Sequence, residues 1–405
     1  VIAYTVYGGA KAVSYTQLFQ MSVIFAGLFL AAYMVVHLLP DNVSFSDALH
    51  IAGKMDKLNA IDTKFDVNNK YNIWSGIIGG FFLQLSYFGT DQSQVGRYLT
   101  GKSIAQSRLG LVMNGLVKIP MQFFILLIGV LVFTFYQFHQ SPIFFNKVEV
   151  SSIQNSEYKE DFKALEKAYV LAHTEKQVEV KKLVEAIHSE DEQAINTART
   201  NVQAADKKSN AIRKEATALM QKNNPKADVN DTNYIFLNFI TTQLPIGVVG
   251  LLIAIIFLAS MGSMASGLNS LASTTIIDFY KRLFKKEESN KSYLSASRWT
   301  TVIWGLFCIM VAFYASRVGN LIEAVNILGS LFYGTILGIF LVAFYMKRIS
   351  GTAVFYAALF AEGFIVYAWI TDLTAFLWLN VIGCLLVMAF AYCIQLILNK
   401  KKVVQ

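Results

Sequence analysis

Ala259, Ser263, Ser266, Ser270 and Ser273 follow one another at spacings of four, three, four and three. That spacing puts small and hydroxyl side chains on one face of one helix. Inside a membrane such a face has two uses. It lets a second helix approach closely, and its hydroxyl and carbonyl oxygens can coordinate a hard cation. A second group lies in the apolar stretch 73–98, where Asp91 and Gln92 sit among Gly79, Gly80, Ser86, Gly89, Thr90 and Ser93. So many polar and glycine residues in a span predict a broken helix, tolerated where its backbone lines a cavity; the alternative is a span that ends near Phe88 and runs on as loop. Lys118, two residues before Pro120 in the next apolar stretch, is either a pocket cation or a lysine whose stem snorkels to the interface. Gln17 and Gln20 make a polar spot in the first span, and Asn326 is a lone amide in a later one, a packing hydrogen bond or a ligand. Polar groups within spans are costly, which makes each of these worth placing.

No enzyme chemistry stands out. His37, His50, His139, His173 and His188 lie at span ends or in outer loops, apart from any nucleophile, and no glycine-rich phosphate loop occurs. Cys308, Cys384 and Cys393 lie in apolar stretches, with neither zinc-ligand spacing nor a disulfide framework.

The elements that must position these residues are membrane helices. Of 405 residues 55% are hydrophobic and only 15% are charged, against roughly 25% in a soluble domain. Several apolar runs reach the ~20 residues that cross a bilayer. The expectation is an all-α membrane protein with about eight transmembrane helices, over 12–39, 73–98, 109–138, 232 or 244 to 283, 299–315, 321–345, 352–370 and 373–398. Residues 1–9 read as a helix end running into a turn at Gly8 and Gly9, and a start at Val1 rather than Met reads as an N-terminally truncated fragment. Residues 139–231 change character: two charged helices, 156–188 and 191–221, stopped by Asn223-Asn224-Pro225, form a solvated extramembrane hairpin. The chain thus divides into 1–138, 139–231 and 232–405. Lys11, the loops 97–108 and 281–298, Lys347-Arg348 and Lys400-Lys401-Lys402 all fall on one side, with Arg317 a lone exception. The net charge of +8 therefore predicts a lipid bilayer, not nucleic acid, as the partner of the basic face. It predicts a multi-pass plasma-membrane protein, in a bacterium the inner membrane, with a cytoplasmic C-terminus and the hairpin outside.

Three stretches carry a resemblance: YTVYGGAKAVSYTQLFQ from Tyr4, YFGTDQSQVGRYLTGKSIAQSRLG from Tyr87, and ASMGSMASGLNSLASTTIIDFYKR from Ala259. The chain resembles the sodium/solute symporter family, which includes sodium/glucose, proline and sialic acid carriers. The resemblance implies a leucine-transporter-like inverted-repeat bundle, here partial: the end of core helix 4, core helices 5–7, the hairpin insert, core helices 8–10 and two peripheral helices. It implies Na+ as coupling ion, held by the Ala259 carbonyl and by positions 262 and 263. Ser263 matches a hydroxyl ligand, whereas Gly262 stands where most relatives have a hydroxyl. A second sodium site known in some members would need a carboxylate and two hydroxyls where this chain has Gln17, Ala265 and Ser266, so one sodium is expected. Asp91, Gln92, Lys118 and Asn326 match substrate-pocket positions. The function implied is sodium-coupled symport of a small polar solute (sugar, sialic acid, amino acid or carboxylate) by alternating access. The alternative is a solute-sensing module without net transport.

Overall fold

The computed structural model describes residues 1–403 apart from 60, 100, 102, 285–288 and 316–320, and the side chains at 4, 7–18, 314–315, 321–323 and 400–403 are left aside. Lys11, Gln17, Arg317 and Lys400-Lys401-Lys402, invoked above, lie outside what is described of side chains.

Among the described residues the chain is helical, with no strand. The elements are α1 (Ile2–His37), α2 (Phe45–Lys54), a π-helical segment Ser75–Gly79, α3 (Gly80–Thr90), α4 (Gln92–Leu99) and α5 (Ile104–Phe138). Then come α6 (Lys147–Gln154), α7 (Lys159–Ser189), α8 (Glu192–Asn223), α9 (Thr232–Gln243) and α10 (Ile246–Thr274), which continues as a π-helix over Thr275–Phe284. The last four are α11 (Asn290–Ala315), α12 (Leu321–Tyr345), α13 (Gly351–Ile370) and α14 (Phe376–Val403). Seven helices among the described residues are long and apolar enough to cross a membrane. The eighth expected span, 73–98, is present in pieces, each too short to count.

The expected turn at Gly8 and Gly9 does not form; α1 runs through both as one helix of 36 residues. A glycine costs a helix only about 1 kcal/mol against alanine. Breaking the helix in an apolar surround would strand backbone groups at several kcal/mol each. The other open boundary, 232 or 244, falls at Pro245. Leu244 before it is extended (φ −93°, ψ 152°), as a residue preceding proline tends to be. The Pro245 carbonyl then accepts from the amides of Val248 and Val249 at 2.9 and 3.0 Å and starts α10.

Two compact units result. The first comprises Gly8–Ala60 and Gly115–Ala265, with Val1. Its core joins Val35 and Leu39 of α1 and its exit, Ala48 and Ile51 of α2, Ile128, Leu131 and Phe135 of α5, and Phe239 of α9 to Val180, Leu183 and Val184 of α7 and Val202 of α8. One face of the hairpin is therefore docked on the membrane helices, while its other face stays exposed. Its apolar residues are spaced for one face, and each such side chain contributes roughly 1.5–3 kcal/mol when buried. Within the same unit Gly27 of α1 lets Leu252 of α10 lie where a side chain would stand.

The second unit comprises Ile2–Tyr7, Ile61–Asn114 and Ser266–Gln405. Here α12, α13 and α14 meet through small residues. A Cβ on Gly338 would come 2.8 Å from the Cys384 carbonyl, and one on Gly383 would come 3.1 Å from the Thr335 amide. Ala353, Ala357, Ala361, Ile365 and Ala368 form a fully buried stripe along α13. Close backbone approach is what holds helices together where lipid competes for apolar contact.

Candidate functional site in the broken helix

The interruption between α3 and α4 is a single residue. Asp91 leaves the helix with extended backbone (φ −72°, ψ 116°), and α4 restarts at Gln92. Its carbonyl accepts from the amides of Gln94 and Val95 at 3.0 and 2.8 Å, which opens α4. Its carboxylate caps the same end: Oδ1 accepts from the Ser93 amide at 2.8 Å and the Ser93 hydroxyl at 2.6 Å. A negative charge there also faces the positive end of the α4 backbone dipoles. An aspartate thus both breaks the span and starts the next piece, and the broken-helix reading holds over a loop beginning near Phe88.

The other carboxylate oxygen is held from outside the break. Tyr333 of α12 donates its hydroxyl to Asp91 Oδ2 at 2.9 Å. Around this pair α3 and α12 are tied again: the Ser86 hydroxyl donates to the Tyr333 carbonyl at 2.8 Å, and Thr90 donates back to the Ser86 carbonyl at 2.9 Å. Gln94 donates to the Tyr87 hydroxyl at 2.6 Å, and the Tyr87 and Tyr333 rings lie 6.2 Å apart. On α4, Arg97 donates Nε and Nη2 to the Ser266 hydroxyl at 3.2 and 2.8 Å. A carboxylate has about four acceptor positions. Three are used here, so Asp91 retains capacity toward a hydroxyl or amine donor.

The candidate residues divide between the two units. Asp91, Gln92 and Asn326 belong to the second; Asp91 is half-buried, Gln92 exposed and Asn326 half-buried. Asn326 lies seven residues before Tyr333, on the same stripe of α12. Lys118, Ala259, Gly262 and Ser263 belong to the first unit, where Lys118 and Ser263 are exposed, Ala259 half-buried and Gly262 buried. Tyr333 escaped the sequence reading. A tyrosine in an apolar span reads as interfacial or core, and only its i, i+7 relation to Asn326 hints at a shared polar face. Two of the histidines are held by structural partners, neither of them a nucleophile. His188 reaches Asp47 at 3.1 Å, and His173 is buried and donates to the Tyr136 carbonyl at 3.1 Å.

The protein is a multi-pass helical membrane protein with a span interrupted at a carboxylate and gripped by a second span, a broken-helix architecture. The model of the sodium:solute symporter family matches residues 1–158 and 215–361, and the chain belongs to that family. The unmatched residues between them are most of α7 and α8. A sodium/sialic acid symporter from Proteus mirabilis is 34% identical over 31% of this chain and 26% of its own length. A sodium/glucose cotransporter from Vibrio parahaemolyticus is 22% identical over 86% of this chain and 51% of its own. The mouse sodium-coupled monocarboxylate transporter 1 is 26% identical over 83% and 41%. The chain thus spans about a quarter to a half of these relatives. A solved structure, described as the substrate-bound outward-open state of a Na+-coupled sialic acid symporter with a novel Na+-site, aligns with a TM-score of 0.65. It covers 98% of this chain and 64% of that one at 19% identity, and so shows the shared, leucine-transporter-like fold.

Proposed function

We propose that the protein is a sodium-coupled secondary active symporter of a small polar solute, working by alternating access. The observation that carries this is the break at Asp91: a membrane helix opened at one residue, its carboxylate held by Tyr333 and keeping spare acceptor capacity. That capacity suits the hydroxyls of a sugar or sialic acid, or the amine of an amino acid. A bare carboxylate solute would instead need a cation, which Lys118 could supply. Gln92 and Asn326 would complete the polar lining.

Sodium would be held by the Ala259 carbonyl, by Ser263 and by an oxygen that replaces the side chain Gly262 lacks. Its higher affinity for one of two states would couple the gradient to the solute. Each charge moved adds about 2.3 kcal/mol per 100 mV of membrane potential. With Gln17 and Ala265 where a second site would need a carboxylate and a hydroxyl, one sodium per cycle is proposed. The basic loops would keep the C-terminus cytoplasmic and the hairpin outside, in the plasma membrane, the inner one in a bacterium.

The test is uptake of radiolabelled sialic acid, glucose, proline and a monocarboxylate into proteoliposomes holding the full-length protein. One of them should accumulate under an inward sodium gradient, with a Hill coefficient for sodium near 1. Ser263→Ala should raise the sodium concentration for half-maximal uptake about tenfold, equivalent to about 1.4 kcal/mol. Uptake that ignores sodium, together with a silent Ser263→Ala, would sink the reading.

A further inference from the structure

Glu362 is the one charged residue of α13, and it stands about 2 Å past the midpoint of that 20-residue helix, at 1.5 Å per residue. It sits beside Ala361, which is fully buried on the face α13 turns to its neighbours, and Glu362 itself is half-buried. The polar side chain facing it is Thr335 of α12, which is 5% exposed. Both Glu362 Oε1 and Thr335 Oγ1 are shut away and complete no hydrogen bond. Gly383 of α14 leaves room for Thr335 there, since a Cβ at that position would come 3.1 Å from its amide and 3.3 Å from its Oγ1.

Among the described residues of the two helices packed on α13, α12 and α14, no cation stands beside Glu362. The charges of α12 and α14 lie at their ends, Glu323 and Lys400 to Lys402, and Glu323 is 12 residues, about 18 Å, from Thr335 along α12. Among the other titratable groups of these two helices, the Tyr333 hydroxyl is committed to Asp91. Cys384 is enclosed, and Tyr345, Tyr392 and Cys393 are exposed. A lone carboxylate at mid-hydrocarbon depth is too costly to keep; the group neutralises instead.

We propose that Glu362 is a proton-binding site, held within the membrane as a neutral carboxylic acid against Thr335 and open to modification by lipid-soluble carbodiimides. The acid oxygen of Glu362 adds to the central carbon of the carbodiimide while the acid proton moves to one of its nitrogens, giving an O-acylisourea. The acyl group then shifts from oxygen to nitrogen, since the apolar seam keeps out the water that would hydrolyse it. The product is a stable N-acylurea, a one-to-one adduct from which nothing leaves. An ionised carboxylate brings no proton and does not react this way. The site stands on α12–α14 alone and does not depend on the transport reading.

The experiment uses the full-length protein in proteoliposomes, treated with N,N′-dicyclohexylcarbodiimide or with a water-soluble carbodiimide and mapped by peptide mass spectrometry. The lipid-soluble reagent should modify Glu362 at least tenfold more than the water-soluble one, and E362Q should lose that adduct. Difference infrared spectra of wild type against E362Q should show a protonated carboxylic C=O band, a readout that needs no reagent access. E362Q keeps the shape of a neutral acid and should melt within about 2 °C of wild type in detergent. The proposal is overturned if the infrared difference shows a carboxylate, if the water-soluble reagent labels Glu362 equally, or if E362Q unfolds where E362D does not.

Discussion

Asp91 ends one helix, starts the next and holds a tyrosine from a third, so its two oxygens do separable work. Oδ1 answers to Ser93 and keeps α4 capped; Oδ2 answers to Tyr333 and links the break to α12. A hydrogen bond to a charged group is worth about 1.5–3 kcal/mol. Tyr333→Phe removes the second link while leaving the cap. The expected result is a solute affinity weaker by about tenfold or more, with the helical circular dichroism unchanged. Asp91→Asn keeps an acceptor for Ser93 but loses the charge, and should weaken binding further. In the double variant the two effects should not add, because both remove the same interaction. Additive losses in a binding titration would mean that Tyr333 acts on the pocket by some route other than Asp91.

At the level of elements, what was legible depended on which signal marked the boundary. Polar residues in an apolar run exposed the break at Asp91, and charge content exposed α7 and α8 almost to the residue. Apolar run length located α12, whose expected limits 321–345 are the observed ones. Glycine was the weak guide. At Gly8 and Gly9 it suggests a turn where the chain is helix, while at Gly334, Gly338 and Gly383 it marks close backbone approaches that no linear pattern displays. Glu362 and Tyr333 were missed for a related reason: each matters through a residue on another helix. These contacts are testable. A Cβ on Gly338 would fall 2.7 Å from that of Val387, between two fully packed helices. Gly338→Ala should therefore destabilise by roughly 1–3 kcal/mol, the usual range for overpacking a tight site. Gly110→Ala, with open space around it, should be neutral or slightly stabilising. A thermal melt of both variants in detergent decides this; equal midpoints would show that α12 and α14 do not touch as closely as this.

The family model skips most of α7 and α8, yet the first unit has no complete core without them. Val180, Leu183 and Val184 share one buried cluster with Ile51, Ile128, Leu131 and Phe135, and α7 also closes the end of α5. His173 donates Nε2–H to the Tyr136 carbonyl and Gln177 donates to the Phe138 carbonyl at 3.0 Å, two of the carbonyls a helix end leaves open. The cross-hairpin pair Lys176–Asp206 at 3.1 Å sits one turn away, with Lys176 buried. Desolvation and the neighbouring Lys176 charge hold His173 neutral, its pKa lowered from 6.5 to about 4. Its other ring nitrogen is enclosed without a partner, so an added proton there would be buried uncompensated. The unfolded chain binds that proton below pH 6.5 while the folded unit resists it until about pH 4. Stability from this residue is therefore complete above pH 6.5 and falls away as pH drops from 6.5 through 4. The loss is on the order of 3 kcal/mol, at 1.36 kcal/mol per pKa unit. At the far end of α7 the Asp47 carboxylate beside His188 works in the same sense: its pKa lies below its usual value, so its contribution is likewise lost on acidification. Burial there is outweighed by hydrogen bonds from Ser44 and His188. Replacing His173 by Gln keeps a side-chain N–H for the Tyr136 carbonyl and removes the titration. Melting midpoints measured from pH 7.5 to 4 should fall steeply for wild type and clearly less for His173→Gln. Parallel curves would assign the acid sensitivity to other groups and leave the hairpin a passive cover on the end of α5.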